Sequence, residues 1–116
     1  LNLQRWTREV PLSSELRGLI ARFVRATQPH LDEAPEKVRR YVRYGVSPRG
    51  AQSLVLASKA RALMAGRHAV STDDVRAVAM PALRHRIQTN YEADANGVHV
   101  DDVIRTILDT VVAQAA

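Results

Sequence analysis

Gly45-Val46-Ser47-Pro48-Arg49-Gly50 decides how the chain is read, because it closes one helical segment and opens the longest one. Ser47 is a favourable N-cap, and Pro48 falls at the first helical position, where its missing N–H costs nothing. Arg49 then stands in the first turn, facing the positive end of the helix dipole, a placement that costs about 0.3–1 kcal/mol at an exposed site. A bound anion would reverse that sign, since free N–H groups and a guanidinium would converge on one negative group. Gly50 gives up about 1 kcal/mol of helix propensity relative to alanine. It reads either as tolerated drift or as a place where another group approaches bare backbone.

Downstream, the spacing predicts a helix from Ser47 to about Ala65, with Gly66 as its C′ stop and an inner face of Leu54, Ala57, Ala60, Ala62, Leu63 and Met64. Arg67–Val70 reads as an extended connector, and a short strand is expected only at 68–70. Ser71-Thr72-Asp73-Asp74-Val75 has a hydroxyl cap followed three residues later by an acid, just before an apolar series. Val75, Val78, Ala79 and Leu83 define the next helix, which Pro81 is expected to kink or end. Residues 88–99 lack strong periodicity, with Tyr91 as the expected anchor to the core. Asp101-Asp102 opens a last helix with Ile104, Ile107, Leu108 and Val111 on one face.

Upstream, Pro35-Glu36 begins a short helix predicted to reach Tyr44, with Val38, Tyr41 and Val42 inward and Gly45 as its C′ residue. Thr27 to Pro35 is a loop. Before it, Ser13-Ser14-Glu15 starts a helix ending near Ala26, whose Leu16, Leu19, Ile20, Phe23 and Val24 form one apolar stripe. The fold expected is all-α, a bundle of about five helices over residues 13–116, with 1–12 as a linker that contains Trp6. Four of the five helix starts place acids in the first turn: Glu15, Glu36, Asp73 with Asp74, and Asp101 with Asp102. The Ser47 helix has none.

The 116 residues suffice for one domain with a single core. Nearly half are apolar and a quarter charged, which is globular composition. There is no cysteine, so disulfides, thiolate metal sites and cysteine nucleophiles are excluded. No apolar run is long enough to span a bilayer, and residues 1–12 lack the layout of a signal peptide, so a cytoplasmic location is the default expectation. Residues 1–70 hold 13 Lys and Arg against 5 acids, whereas 71–116 hold 4 against 7, so the first part seeks anions or an acidic partner. Arginine as a plain solvated cation is the blander account of the same numbers. His30, His68, His85 and His99 are scattered without metal-ligand spacing. No phosphate-binding glycine loop occurs, and no serine is set up as a nucleophile. The chain by itself is therefore expected to contain no catalytic residue.

Arg43-Tyr44-Gly45-Val46-Ser47-Pro48-Arg49-Gly50, Lys59-Ala60-Arg61-Ala62-Leu63, Gly66-Arg67, Val70-Ser71-Thr72-Asp73-Asp74-Val75 and Leu83-Arg84-His85-Arg86-Ile87 occur in that order. Together they resemble the C-terminal helical lid of MoxR-type AAA+ ATPases. The resemblance implies that Arg49 is the sensor 2 arginine, reaching the γ-phosphate of ATP, and that Val46, Ser47 and Pro48 border the nucleotide. It implies an upstream large AAA+ domain of the same chain that holds the Mg2+ and hydrolyses ATP, in keeping with a start at Leu1 instead of methionine. It further implies a ring-forming homo-oligomer, chaperone-like remodelling, and a protein with a von Willebrand A-type domain as partner. Two positions depart from the family pattern, which usually has alanine where Gly50 stands and often has arginine where Gln28 follows Ala26-Thr27; no role is carried to position 28.

The alternative is a small basic helical module that binds nucleic acid through Arg17, Arg22, Arg25, Arg39, Arg40 and Arg43, or that docks on an acidic protein. The lack of a clean recognition helix and the scarcity of aromatics count against nucleic acid. No membrane partner is expected.

Overall fold

Ser13 caps the first helix, α1 (Ser14–Ala26), its hydroxyl oxygen accepting the Leu16 N–H at 3.2 Å, and of the predicted stripe Leu16, Leu19, Ile20 and Phe23 are buried along it while Val24 is half-buried against the same core. The computed structural model describes residues 10–112. The expected linker lies outside that range except for its last three residues, as do Trp6 and residues 113–116. After α1 come α2 (Glu36–Tyr41), β1 (Val42–Tyr44), α3 (Pro48–Met64), α4 (Thr72–Leu83), β2 (Gln88–Thr89), α5 (Tyr91–Ala95) and α6 (Val100–Ile107). The last described residues, Leu108–Val112, form a π-helical turn.

The all-α expectation holds, with one short helix more than the sequence suggests. α3 and α4 form the most extensive helix pair, while α1 packs on α3 and on the π turn. Phe23, Leu54, Val75, Leu83, Ile104 and Ile107 meet in the core between them.

Several expectations need correction. The extended piece is not at 68–70, which forms bends and no ladder; the strands are β1 and β2, paired antiparallel with Val42 opposite Thr89 and Tyr44 opposite Gln88. The helix expected to reach Tyr44 accordingly ends at Tyr41, because residues 42–44 give their backbone to that ribbon. Tyr91 is 86% exposed and anchors nothing. Its segment is held instead by Asn90, whose Nδ2 donates to the Arg40 carbonyl at 2.7 Å, by Asn96, whose Nδ2 donates to the Tyr41 hydroxyl at 3.0 Å, and by buried Ala93.

The inner face of α3 also differs from the one expected: its buried row is Gly50, Leu54, Ser58 and Ala62, while Met64 is 83% exposed. These residues are spaced by four, and three of them are small, so a ridge of low relief lets α4 come close. Ser58 satisfies its buried hydroxyl by donating to the Leu54 carbonyl at 2.8 Å. At the far end Gly66 stands at φ +77°, its N–H bound to the Leu63 carbonyl and that of Arg67 to Ala62, which closes α3 as predicted. Pro81 does not break α4, which runs two residues past it. None of the described helices is long and apolar enough to cross a membrane.

Candidate functional site at the start of α3

The chain enters α3 from β1 through Gly45 and Val46. Gly45 is not a helix terminus but a point of close approach: a Cβ built on it would lie 2.7 Å from the Thr27 carbonyl carbon and nearer still to the oxygen. Backbone cannot give way as a side-chain tip can, so Gly45→Ala is expected to lower stability by about 1–3 kcal/mol, the usual range for overpacking. A melting curve unchanged from the parent protein would show that the contact relaxes freely.

Val46 is buried, with its N–H donating to Thr27 Oγ1 at 3.0 Å and its carbonyl accepting from Gln28 Nε2 at 2.7 Å. Ser47 caps the helix as predicted, its Oγ accepting the Gly50 N–H at 3.2 Å. A Cβ on Gly50 would meet Val46 Cγ1 at 2.7 Å and Arg86 Cδ at 3.4 Å. The valine beneath it and the arginine stem beside it leave little room for a side chain at position 50. Of the four predicted site residues, Ser47, Pro48 and Arg49 are exposed and Val46 faces inward.

The first turn has fewer spare donors than the sequence suggests. Pro48 has no N–H, that of Gly50 is taken by Ser47, and Ala51 bonds the Ser47 carbonyl at 2.9 Å. Only the Arg49 N–H is left over. The attraction for an anion therefore rests on that one donor, the helix dipole and the guanidinium. Every other α-helix among the described residues begins with an acid in its first turn; α3 has none. The Arg49 guanidinium makes no hydrogen bond or ion pair among the described residues.

Much of the remaining positive charge is already engaged. Arg25 pairs with Glu33, Arg40 with Glu92 at 2.9 Å, Arg39 Nη2 donates to the Asp32 carbonyl at 2.7 Å, and Arg43 lies over the Tyr44 ring. That leaves Arg17 and Arg22 of the six arginines a nucleic-acid surface would have used. No group of three or more His, Cys, Asp or Glu side chains among the described residues could hold a metal ion. His99 is a helix cap, its Nδ1 accepting the Asp101 N–H at 3.1 Å. Sequence reasoning missed Thr27 and Gln28 at this site, and also Arg86; the only hint was the departure from pattern at position 28.

The described residues thus form a small helical bundle whose longest helix opens on an arginine with no acid in its first turn. The family model for the AAA lid domain matches residues 35–107, and the chain belongs to that family. It is 34% identical over 92 residues to Chaperone MoxR1 of Mycobacterium tuberculosis, covering 79% of this chain and 24% of that protein. Over 48 residues it is 56% identical to Protein MoxR of Paracoccus denitrificans, covering 41% of this chain and 14% of the relative. A crystal structure of a candidate ATPase from Cytophaga hutchinsonii superposes with a TM-score of 0.86 at 36% identity, over 92% of this chain and 32% of the other. These similarities place the lid among those of MoxR-type proteins. The chain spans at most about a third of the length of these relatives.

Proposed function

We propose that this lid senses nucleotide for a MoxR-type AAA+ ATPase, with Arg49 as its sensor 2 arginine. The observation that carries the proposal is the start of α3, where an exposed guanidinium with no partner among the described residues stands in the first turn of the one described α-helix without an acid there. A phosphate fits that environment, since it would satisfy the spare Arg49 N–H and reverse an unfavourable charge–dipole pairing. Ser47 and Pro48 border the nucleotide at the surface, and Val46 supports them from beneath. Hydrolysis belongs to the large AAA+ domain of the same chain, which holds the Mg2+.

Binding of ATP between the two domains closes the lid, and loss of the terminal phosphate removes the contact that Arg49 makes only in the closed state. A ligand shifts such an equilibrium only through contacts that differ between its states, and Arg49 supplies one. In a cytoplasmic homo-oligomeric ring this rotation would drive chaperone-like remodelling, with a von Willebrand A-type protein as adaptor. The test is ATP turnover in the full-length protein with Arg49→Ala; turnover that survives intact removes the assignment.

The isolated lid is expected to bind ATP more weakly than about 1 mM. One charge-assisted hydrogen bond is worth about 1.5–3 kcal/mol, short of the roughly 4 kcal/mol that millimolar affinity requires. An NMR titration should therefore move the amides of residues 46–51 slightly and without saturation. Micromolar affinity would mean that the lid holds a complete nucleotide site and would contradict a shared one.

A further inference from the structure

We infer that Thr27 and Gln28 are positioning residues for Arg49, a clamp that fixes the direction in which α3 leaves the β-ribbon. The inference rests on the sensor reading of Arg49 and assigns residues to it from a different element. Thr27 follows α1 directly and is 0% exposed. Its hydroxyl donates to the Val24 carbonyl at 2.6 Å, and its oxygen accepts the Val46 N–H at 3.0 Å. Gln28 Nε2 donates to the Val46 carbonyl at 2.7 Å and lies 3.5 Å from Thr27 Oγ1. Both backbone polar groups of one residue are thus held by two consecutive side chains about 18 positions earlier.

Val46 is where such holding matters. It lies after the β-ribbon and before the Ser47 cap, so neither ladder nor helix fixes its backbone. Gly45 has no Cβ, and that absence brings the segment within reach of Thr27. Rotation at Val46 would swing the whole first turn of α3, and Arg49 with it, relative to α1. An arginine that must meet a phosphate held by another domain loses its advantage when displaced by about 1 Å. The clamp also makes α1 and the start of α3 a single body, so lid closure carries Arg49 without slack.

Gln28 is partly exposed, so Gln28→Met removes the donor while sparing the core. In the full-length protein it is expected to slow ATP turnover about fivefold, the effect of one lost neutral hydrogen bond on alignment, with a modest fall in the melting midpoint because the Val46 carbonyl loses its donor. Gln28→Arg keeps a donor and should retain most of the activity. Thr27→Val should slow turnover further, and Thr27→Ser should recover it. In an Arg49→Ala background Gln28→Met is expected to have no further effect, because the two act as a unit. A fivefold loss that persists in that background, or no loss in the parent, overturns the inference while leaving the sensor reading intact. An Arg49→Ala variant with unchanged turnover overturns both.

Discussion

Full-length protein carrying Arg49→Ala is expected to turn over ATP about 10- to 100-fold more slowly, the range that follows from losing a charge-assisted hydrogen bond at a phosphate. Stability should move the other way. The guanidinium has no partner within the described lid and faces the positive end of α3, so its removal costs no internal contact. It relieves an unfavourable pairing worth a few tenths of a kcal/mol. Slower turnover with an equal or slightly higher melting temperature is a signature that a structural arginine could not produce. Arg49→Lys should fall between, since it keeps the charge but loses the planar fork that grips a phosphate. Equal kcat and KM in parent and Arg49→Ala would leave Arg49 as ordinary surface.

What the sequence makes legible is local. The α1 helix start, the serine caps at 47 and 71 and the glycine stop at 66 each depend on residues within a few positions, and each forms as read. The β-ribbon joins segments about 45 residues apart, and two or three residues of strand leave no alternation to detect. α3 misleads for another reason. Its alanines and serines give almost no contrast between faces, so the buried row shows only once α4 is laid against it. Arg49 was legible because helix starts can be compared one with another, and its environment needs no distant partner. Thr27 and Gln28 were not, because their role consists of hydrogen bonds to a residue 18 and 19 positions away.

Asp74→Asn is expected to cost about 2–4 kcal/mol of the lid's stability. Its carboxylate is 0% exposed and joins two elements. Oδ2 accepts the Ser71 N–H at 2.8 Å and the Ser71 hydroxyl at 3.1 Å, completing the capping box of α4. Oδ1 accepts from Arg61 in the last turn of α3, at 2.7 Å, and from Arg67 just beyond it. Charge-assisted bonds are worth about 1.5–3 kcal/mol each and the cap about 1. Both arginines are 43% exposed, so water takes back part of that when the charge is lost, which sets the lower figure.

Acid separates the charge of Asp74 from its shape. Burial pushes its carboxyl up, but the Ser71 N–H, Arg61, the Ser71 hydroxyl and Arg67 together outweigh burial and hold it below the usual carboxylate range. The unfolded chain therefore binds the proton more tightly than the folded one. The stabilisation is complete above the unfolded value, about 3.9, and is lost as pH falls through the lower folded value. The melting temperature of the parent should drop steeply below about pH 4, and that of Asp74→Asn should drop less, by the share Asp74 carried. Asp101, held low chiefly by its hydrogen bond to Arg84, titrates in both proteins and so cancels in the comparison. Parallel acid curves for the two proteins would mean that Asp74 holds α3 and α4 together by its hydrogen-bonding shape alone.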